Sequence, residues 1–80
     1  MTKENVSAAQ DVPVREVPIE LCQFIKFGGL AESGGAAKQL VAEGAVQVNG
    51  AAESRKRRQL LAGDRVTVAG RTIVVRVRKS

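Results

Sequence analysis

The spacing of apolar residues predicts two short helices in the first half of the chain. Leu21, Phe24 and Ile25 lie three and four positions apart, which places them on one face of a helix. We expect this helix to begin at Pro18, whose missing N–H would be unpaired there anyway. We expect it to end at Gly28-Gly29, which suits a left-handed closing turn.

A second helix is predicted directly after the first. Ser33 is a residue type that caps helix N-termini with its hydroxyl oxygen, and Gly44 suits a C-terminal stop. Between them an apolar stripe recurs at helical spacing, made of Ala36, Ala37, Leu40 and Val41. Because two of these four residues are alanine, the helix can approach its neighbour closely.

After Gly44 the apolar period falls to two, which is typical of strands with one buried face. Val46 and Val48 precede Asn49-Gly50, a pair that favours the positive φ angles of a tight hairpin turn, and a weakly marked return strand is expected near 51–54. Further alternating segments follow at 65–68 and 73–78, each after a turn, at 63–64 and 69–70. The sequence therefore predicts an α+β domain in which two short helices pack on a small, mostly antiparallel sheet.

The N-terminal residues 1–17 are polar, with scattered valine and alanine and no sustained period of either kind. We expect them to form a flexible tail, and residues 18–80 to form the folded domain. A short edge strand around Val12–Val17 is the alternative. No apolar segment follows Lys3, so the tail lacks the pattern of a secretory signal.

The composition excludes several classes of function. The 80 residues contain no His, one Cys, no Trp or Tyr and two Phe, which rules out a histidine catalyst, a Cys/His zinc site and a disulfide framework. No apolar stretch approaches the roughly 18 residues of a membrane span. Phe24 and Phe27 are expected in the core rather than as stacking platforms, and Cys22 is expected to be a small buried residue. These features predict a soluble, cytoplasmic, monomeric binding module that has no membrane partner and needs no cofactor or metal.

The net charge of +5 is concentrated near the C-terminus. Residues 1–20 hold two cations and four acidic residues (−2), and residues 21–54 hold two and three (−1). Residues 55–80 hold nine cations and one acidic residue, a net of +8, and four of the cations are consecutive at 55–58. A polyphosphate backbone would relieve the repulsion between them and release counterions. The run therefore favours contact with nucleic acid, and a solvated loop that only aids solubility is the alternative.

Other candidates for contact with a polyanion are more ambiguous. Ser33-Gly34-Gly35 opens a helix, whose free N–H groups attract anions, but no Gly-Lys-Ser/Thr ending supports a nucleotide-binding loop. Lys38 lies close to this helix start. Arg76 and Arg78 share the solvent face of a strand, where protection of a sheet edge is the favoured explanation.

The segment 33–50 resembles the S4-type, or alpha-L, RNA-binding domain. The residues that carry the resemblance are Ser33-Gly34-Gly35-Ala36-Ala37-Lys38-Gln39-Leu40-Val41, Gly44, Val46, Val48-Asn49-Gly50 and Gly63-Asp64. It covers about residues 18–70 and is strongest to the small stand-alone bacterial members of that family. It implies two helices on a small antiparallel sheet, and binding of structured RNA through the helix pair and the adjoining loop.

Carried over by position, the resemblance implies nine RNA-binding residues: Lys26, Ser33, Lys38, Gln39, Asn49, Arg55, Lys56, Arg57 and Arg58. One position departs from the family pattern, since many members have Arg directly after the motif Ser, where this chain has Gly34. Glycine has no side chain to bind a phosphate, and we expect the 55–58 run to take over part of that function.

The predicted function is non-enzymatic binding of structured RNA, either ribosomal or transfer RNA. A ribosome-associated or assembly factor that contacts protein as well as RNA, on ribosomal particles, is the alternative. Charge alone leaves DNA binding open, because phosphates are common to both nucleic acids. An enzymatic role is disfavoured because the sequence offers no acid–base pair and no metal-binding cluster.

Overall fold

The computed structural model describes residues 9–78, in which two helices pack on one face of a five-stranded sheet. In chain order the elements are β1 (Gln10–Val14), β2 (Ile19–Glu20), α1 (Leu21–Phe27), α2 (Gly34–Ala42), β3 (Val46–Val48), β4 (Ala51–Ala52), β5 (Gln59–Leu60), β6 (Arg65–Val68) and β7 (Arg71–Val77). The sheet order is β1-β7-β6-β3-β4, and β2 pairs separately with β5. Every pairing is antiparallel except β1 with β7, so the predicted α+β architecture is confirmed.

Strand β1 corrects the prediction of a flexible tail over residues 1–17. It lies at the edge of the sheet, parallel to β7, and places Val12 and Val14 in the core. The register joins Val12 to Val75, and the Arg78 N–H donates to the Val14 carbonyl at 2.8 Å. The alternative of an edge strand is therefore the better one, although the strand ends at Val14. Residues 1–8 of the predicted tail lie outside the described residues.

Helix α1 starts later than predicted, because Pro18 does not open it. The peptide bond before Pro18 is cis. The next two residues form β2, in which Ile19 pairs with Leu60, and the helix follows directly. Its end is as predicted, since Gly29 adopts a φ of 80° and the Leu30 N–H donates back to the Ile25 carbonyl at 3.0 Å. The β2–β5 ladder thereby ties the start of α1 to the segment that follows the 55–58 run.

Helix α2 and the turns agree with the sequence prediction. The hydroxyl oxygen of Ser33 accepts a hydrogen bond from the Ala36 N–H at 3.1 Å, and Gly44 follows the helix with a φ of 75°. Asn49 and Gly50 have φ angles of 53° and 86°, as the β3–β4 hairpin requires. These elements were predictable because each is specified by residues that are adjacent in the chain.

The core lies between the two helices and the inner face of the sheet. The largest fully buried side chains are Phe24, Leu21, Ile25, Leu60, Val41, Val46, Val66 and Val75. Burial of each such side chain contributes about 1.5–3 kcal/mol. Since three of them come from α1, the core holds this helix firmly against the sheet. Across residues 9–78, no helix has the length and apolar character that a membrane crossing requires.

Candidate nucleic-acid interface

The run Arg55–Arg58 folds into a tight turn, which we call the arginine turn, and its backbone is tied to the start of α1. The Arg58 N–H donates to the Arg55 carbonyl at 3.2 Å, and the Leu21 N–H donates to the Arg58 carbonyl at 2.8 Å. The Cys22 thiol donates to the Lys56 carbonyl at 3.2 Å. Because two successive α1 residues bind its carbonyls, the turn displays its cations in a defined arrangement.

Glu53 is a buried acid that orients two of these cations. It is only 6% exposed, and its Oε2 accepts hydrogen bonds from the backbone N–H and the Nε of Arg55, both at 3.0 Å. Its Oε1 accepts from the Arg58 guanidinium and, at 3.3 Å, from that of Arg55. The hydrogen bonds from Arg55, with a smaller contribution from Arg58, lower the pKa of Glu53 from its ordinary value to about 2. The carboxylate is therefore charged at neutral pH and holds both arginines.

The four cations of the arginine turn are consequently not equivalent. Arg55 and Arg58 are both ion-paired with Glu53. The Arg57 side chain is 85% exposed and reaches one carboxylate, that of Glu20, at 3.4 Å. Lys56 forms no ion pair with a carboxylate of residues 9–78. Lys56 and Arg57 are therefore the members of the turn whose charge is most available to an external anion.

Helix α2 supplies the other half of this surface. Lys38 and Gln39 line an open depression together with Lys56, and Gly35, Ala42 and Glu43 complete its lining. The Gln39 amide donates to a Glu43 carboxylate oxygen at 3.0 Å, whereas Lys38 has no ion pair within the described part of the chain. The structure thus brings Lys38, Gln39 and the arginine turn into one surface, which we call the basic face.

Cys22 lies beneath the junction of the basic face. It is buried, and burial raises the pKa of its thiol, an effect that the nearby Lys38 partly opposes. The thiol is therefore protonated at neutral pH and able to donate to the Lys56 carbonyl. The expectation of a small buried residue is confirmed, and its hydrogen bond anchors the arginine turn.

Three of the nine predicted RNA-binding residues have side chains that lie outside the basic face. The Ser33 hydroxyl caps α2, and Lys26 lies in a separate groove near the end of α1. The side-chain oxygen of Asn49 accepts from the Arg65 N–H at 3.0 Å, and its amide donates to Asp64 Oδ1 at 3.2 Å. These two bonds tie the β3–β4 turn to the start of β6. A part for these three residues in RNA binding stays a prediction.

Two features of the surface were not predicted from the sequence. Glu53 stands two positions before the cationic run, and that single acidic residue was the only signal of its role. Phe27 was expected in the core with Phe24, but it is 61% exposed whereas Phe24 is fully buried. Both phenylalanines lie at helical spacing, so the apolar pattern did not separate the buried one from the exposed one.

Comparison with known proteins places the chain in a family. The family model described as the S4 domain matches residues 12–76. The chain is 47% identical over 57 residues to the "Putative RNA-binding protein YbcJ" of Escherichia coli K12, a match that covers 71% of this chain and 81% of the relative. The YbcJ protein of Shigella flexneri matches with the same identity and coverage.

A solved structure gives the same result over nearly the whole chain. The solution structure of E. coli YbcJ matches with a TM-score of 0.68 and 38% identity, covering 95% of this chain and 98% of that one. That structure is described as revealing an alpha-L motif involved in RNA binding. The resemblance inferred over about residues 18–70 is therefore confirmed, and the chain belongs to the S4 domain family.

Proposed function

We propose that this protein binds structured RNA through the basic face and catalyses no reaction. The observation that carries the proposal is the grouping of three cations, since Lys56 lines one depression with Lys38 and a second with Arg57. Of these three, only Arg57 forms an ion pair with a carboxylate of residues 9–78. Like charges so placed repel one another, and a phosphate backbone would neutralise them while releasing counterions. The description of the E. coli relative as a putative RNA-binding protein supports the same conclusion.

The residues of the basic face suit different parts of an RNA. Arg57 presents an exposed planar guanidinium, which suits two phosphate oxygens at once, and Lys56 acts as a point charge beside it. The Gln39 amide, on the neighbouring helix, can exchange its bond to Glu43 for one to a sugar or base edge. Phosphate contacts would then fix the position of the RNA, and shape would select it.

We further propose that the target is folded RNA, ribosomal or transfer RNA, bound by a monomer in the cytoplasm. Domains that read extended single strands use aromatic side chains on a sheet as stacking platforms. Both phenylalanines of this chain belong to α1, and the sequence has no Trp or Tyr, so its strands carry no aromatic residue. A basic face built from a helix and a rigid turn is better suited to the backbone of a folded RNA.

The proposal is tested by titrating labelled transfer RNA and a ribosomal RNA hairpin with the protein at increasing salt. The logarithm of the affinity should fall with the logarithm of the salt concentration, with a slope of roughly −0.7 to −0.9 for each phosphate neutralised. Affinity that hardly changes with salt would contradict the proposal. Folded RNA should also displace duplex DNA of equal length, and equal competition would indicate a general polyanion binder.

A second candidate function is a ribosome-associated factor that contacts protein as well as RNA. The observation that favours it is Leu61, a large apolar side chain that is 57% exposed and lies outside the basic face. Co-sedimentation of the protein with ribosomal particles, before and after nuclease treatment, separates the two functions. Retention after nuclease treatment would indicate protein contacts, whereas complete release would favour RNA alone.

A further inference from the structure

Phe27 is an exposed aromatic ring in a protein that has only one other. It lines a groove between α1 and the segment that joins β1 to β2, together with Arg15, Ile19, Gln23 and Lys26. Exposed apolar area is unfavourable by roughly 25 cal/mol for each Å² left in water. A ligand that covers this ring would therefore gain free energy from the apolar area it removes from water.

The charges around the ring favour an anionic ligand. Arg15 and Lys26 border the groove, and neither forms an ion pair with a carboxylate of residues 9–78. Glu16 is the acidic residue among the groove residues, so the groove has a net charge of +1. An aromatic face flanked by two cations that no carboxylate of residues 9–78 pairs matches a group that is planar and attached to phosphate, which is the chemistry of a nucleotide.

Helix α1 connects this groove to the arginine turn. Glu20, which contacts Arg57 at 3.4 Å, is followed by Gln23 three positions later and by Phe27 four positions after that. This spacing places all three on one side of the helix. The helix is about 10.5 Å long over its seven residues, which is close to the length of three stacked nucleotides at about 3.4 Å each.

We propose that the Phe27 groove binds an unpaired base of the same RNA that the basic face holds, an inference that rests on the proposed function. The base stacks on the ring of Phe27, and Arg15 and Lys26 contact the phosphates on either side of it. Proteins that recognise RNA by sequence or structure commonly read bases that are splayed out of loops and bulges. The preferred ligand is therefore a helical stem with an unpaired nucleotide about three positions from the backbone held by the arginine turn.

The test compares hairpin RNAs that share one stem and differ only in a single unpaired nucleotide, moved one position at a time, with a fully paired hairpin as reference. Phe27→Ala should weaken binding of the best bulged hairpin by about 5- to 150-fold, the equivalent of 1–3 kcal/mol of stacking for one base. Its affinity for the fully paired hairpin should change by less than about twofold, since the basic face is intact.

Two further variants control for size and exposure. Phe27→Trp keeps an aromatic face and should retain the preference for the bulged hairpin. Leu61→Ala removes a side chain of similar exposure away from the groove and should bind every hairpin as the wild type does. Because Phe27 is exposed, Phe27→Ala should unfold at nearly the wild-type temperature.

The outcomes separate this inference from the proposed function. Equal binding of paired and bulged hairpins, unchanged in Phe27→Ala, would overturn the inference and leave RNA binding intact. Failure of the wild type to bind any hairpin would overturn both. A third outcome is that Phe27→Ala binds every RNA as the wild type does but loses a self-association that the RNA-free wild type shows in sedimentation. That outcome would identify the groove as a protein contact and overturn the inference.

Discussion

The carboxylate of Glu53 binds the guanidinium of Arg58, the last residue of the cationic run, whose side chain is mostly shielded from solvent. Only 30% of the Arg58 side chain is exposed, against 85% of its neighbour Arg57. Two adjacent arginines therefore differ in role. Arg58 stabilises the turn, and Arg57 is displayed by it.

Replacement of Glu53 by Gln should lower the Tm at pH 7 by several degrees and weaken RNA binding. The substitution keeps the size of the side chain but removes the charge that holds Arg55 and Arg58 together. The Arg55 pair alone would contribute little, since its side chain is 71% exposed and water screens it. Glu32→Gln, at an exposed position, is the matched control. A Glu53→Gln protein that melts with the wild type would contradict the assigned role.

The ion pairs of Glu53 with Arg55 and Arg58 also predict that the stability of the fold depends on pH. The pKa of Glu53 is about 2 in the folded protein and about 4.5 when unperturbed, so the folded state favours the ionised form. The stabilisation is fully present above pH 4.5 and is lost as the pH falls through 2. The difference in unfolding free energy between wild type and Glu53→Gln should therefore be constant near neutrality and shrink between pH 4.5 and 2. A difference that does not change over that range would refute the ion pair.

Asn49→Ala should affect stability more than RNA binding. The amide of Asn49 holds the Arg65 N–H and Asp64, and its backbone has a φ of 53°, which Asn tolerates better than Ala. Removal of these interactions should cost roughly 1–2 kcal/mol of unfolding free energy. Denaturant unfolding measures this cost, and titration of the folded variant measures RNA affinity. A large drop in affinity at wild-type stability would instead show that Asn49 contacts RNA directly.

The sequence predicted those elements whose signals are local. The Ser33 cap, the Gly44 stop and the Asn49-Gly50 turn are each determined by a few adjacent residues, and all three are confirmed. Strand β1 was predicted only as the alternative to a flexible tail, because it offers only Val12 and Val14 as alternating apolar positions. Its pairing partner, β7, lies at the opposite end of the chain. Strand β2 was missed for the same reason, since two residues show no period and its partner is β5.

The candidate surface was predictable in position but not in detail. Charge segregation located the 55–58 run, and the family resemblance placed Lys38 beside it. The roles of Arg57 and Arg58 were indistinguishable in sequence, because the ion pair that separates them requires the folded position of Glu53. A substitution of Arg58 by Glu would place two carboxylates together and so test folding rather than binding.

Gly34→Arg should strengthen RNA binding. The family resemblance implies an Arg directly after the helix-capping serine, where Gly34 offers no side chain for a phosphate. A Cβ added at Gly34 would meet no atom within 4 Å, so the helix accepts a side chain there. Gly34 is the first residue of α2, where the helix dipole disfavours a cation, so the gain in RNA affinity should come from the phosphate contact and not from helix stability. Gly34→Ala gives the same backbone effect without the charge and is the control. Equal RNA affinity in the two variants would show that position 34 does not face the RNA.

The most direct test of the basic face is the double substitution Lys56→Glu with Arg57→Glu. Both side chains are exposed, and the contact between Arg57 and Glu20 that the variant loses lies at the surface, where water screens the repulsion between two carboxylates, so the variant should fold and unfold nearly as the wild type does. The control, Arg71→Glu with Arg78→Glu, changes the net charge by the same amount at exposed positions outside the basic face.

Titration of both variants with the same folded RNA over a range of salt gives the decisive comparison. We expect Lys56→Glu with Arg57→Glu to bind at least tenfold more weakly, and its salt slope to become less negative by roughly 1.4–1.8, which is 0.7–0.9 for each of two phosphate contacts removed. The control should keep the wild-type slope and most of the affinity. Equal weakening in the two variants, or wild-type binding by the first, would contradict RNA binding through the basic face.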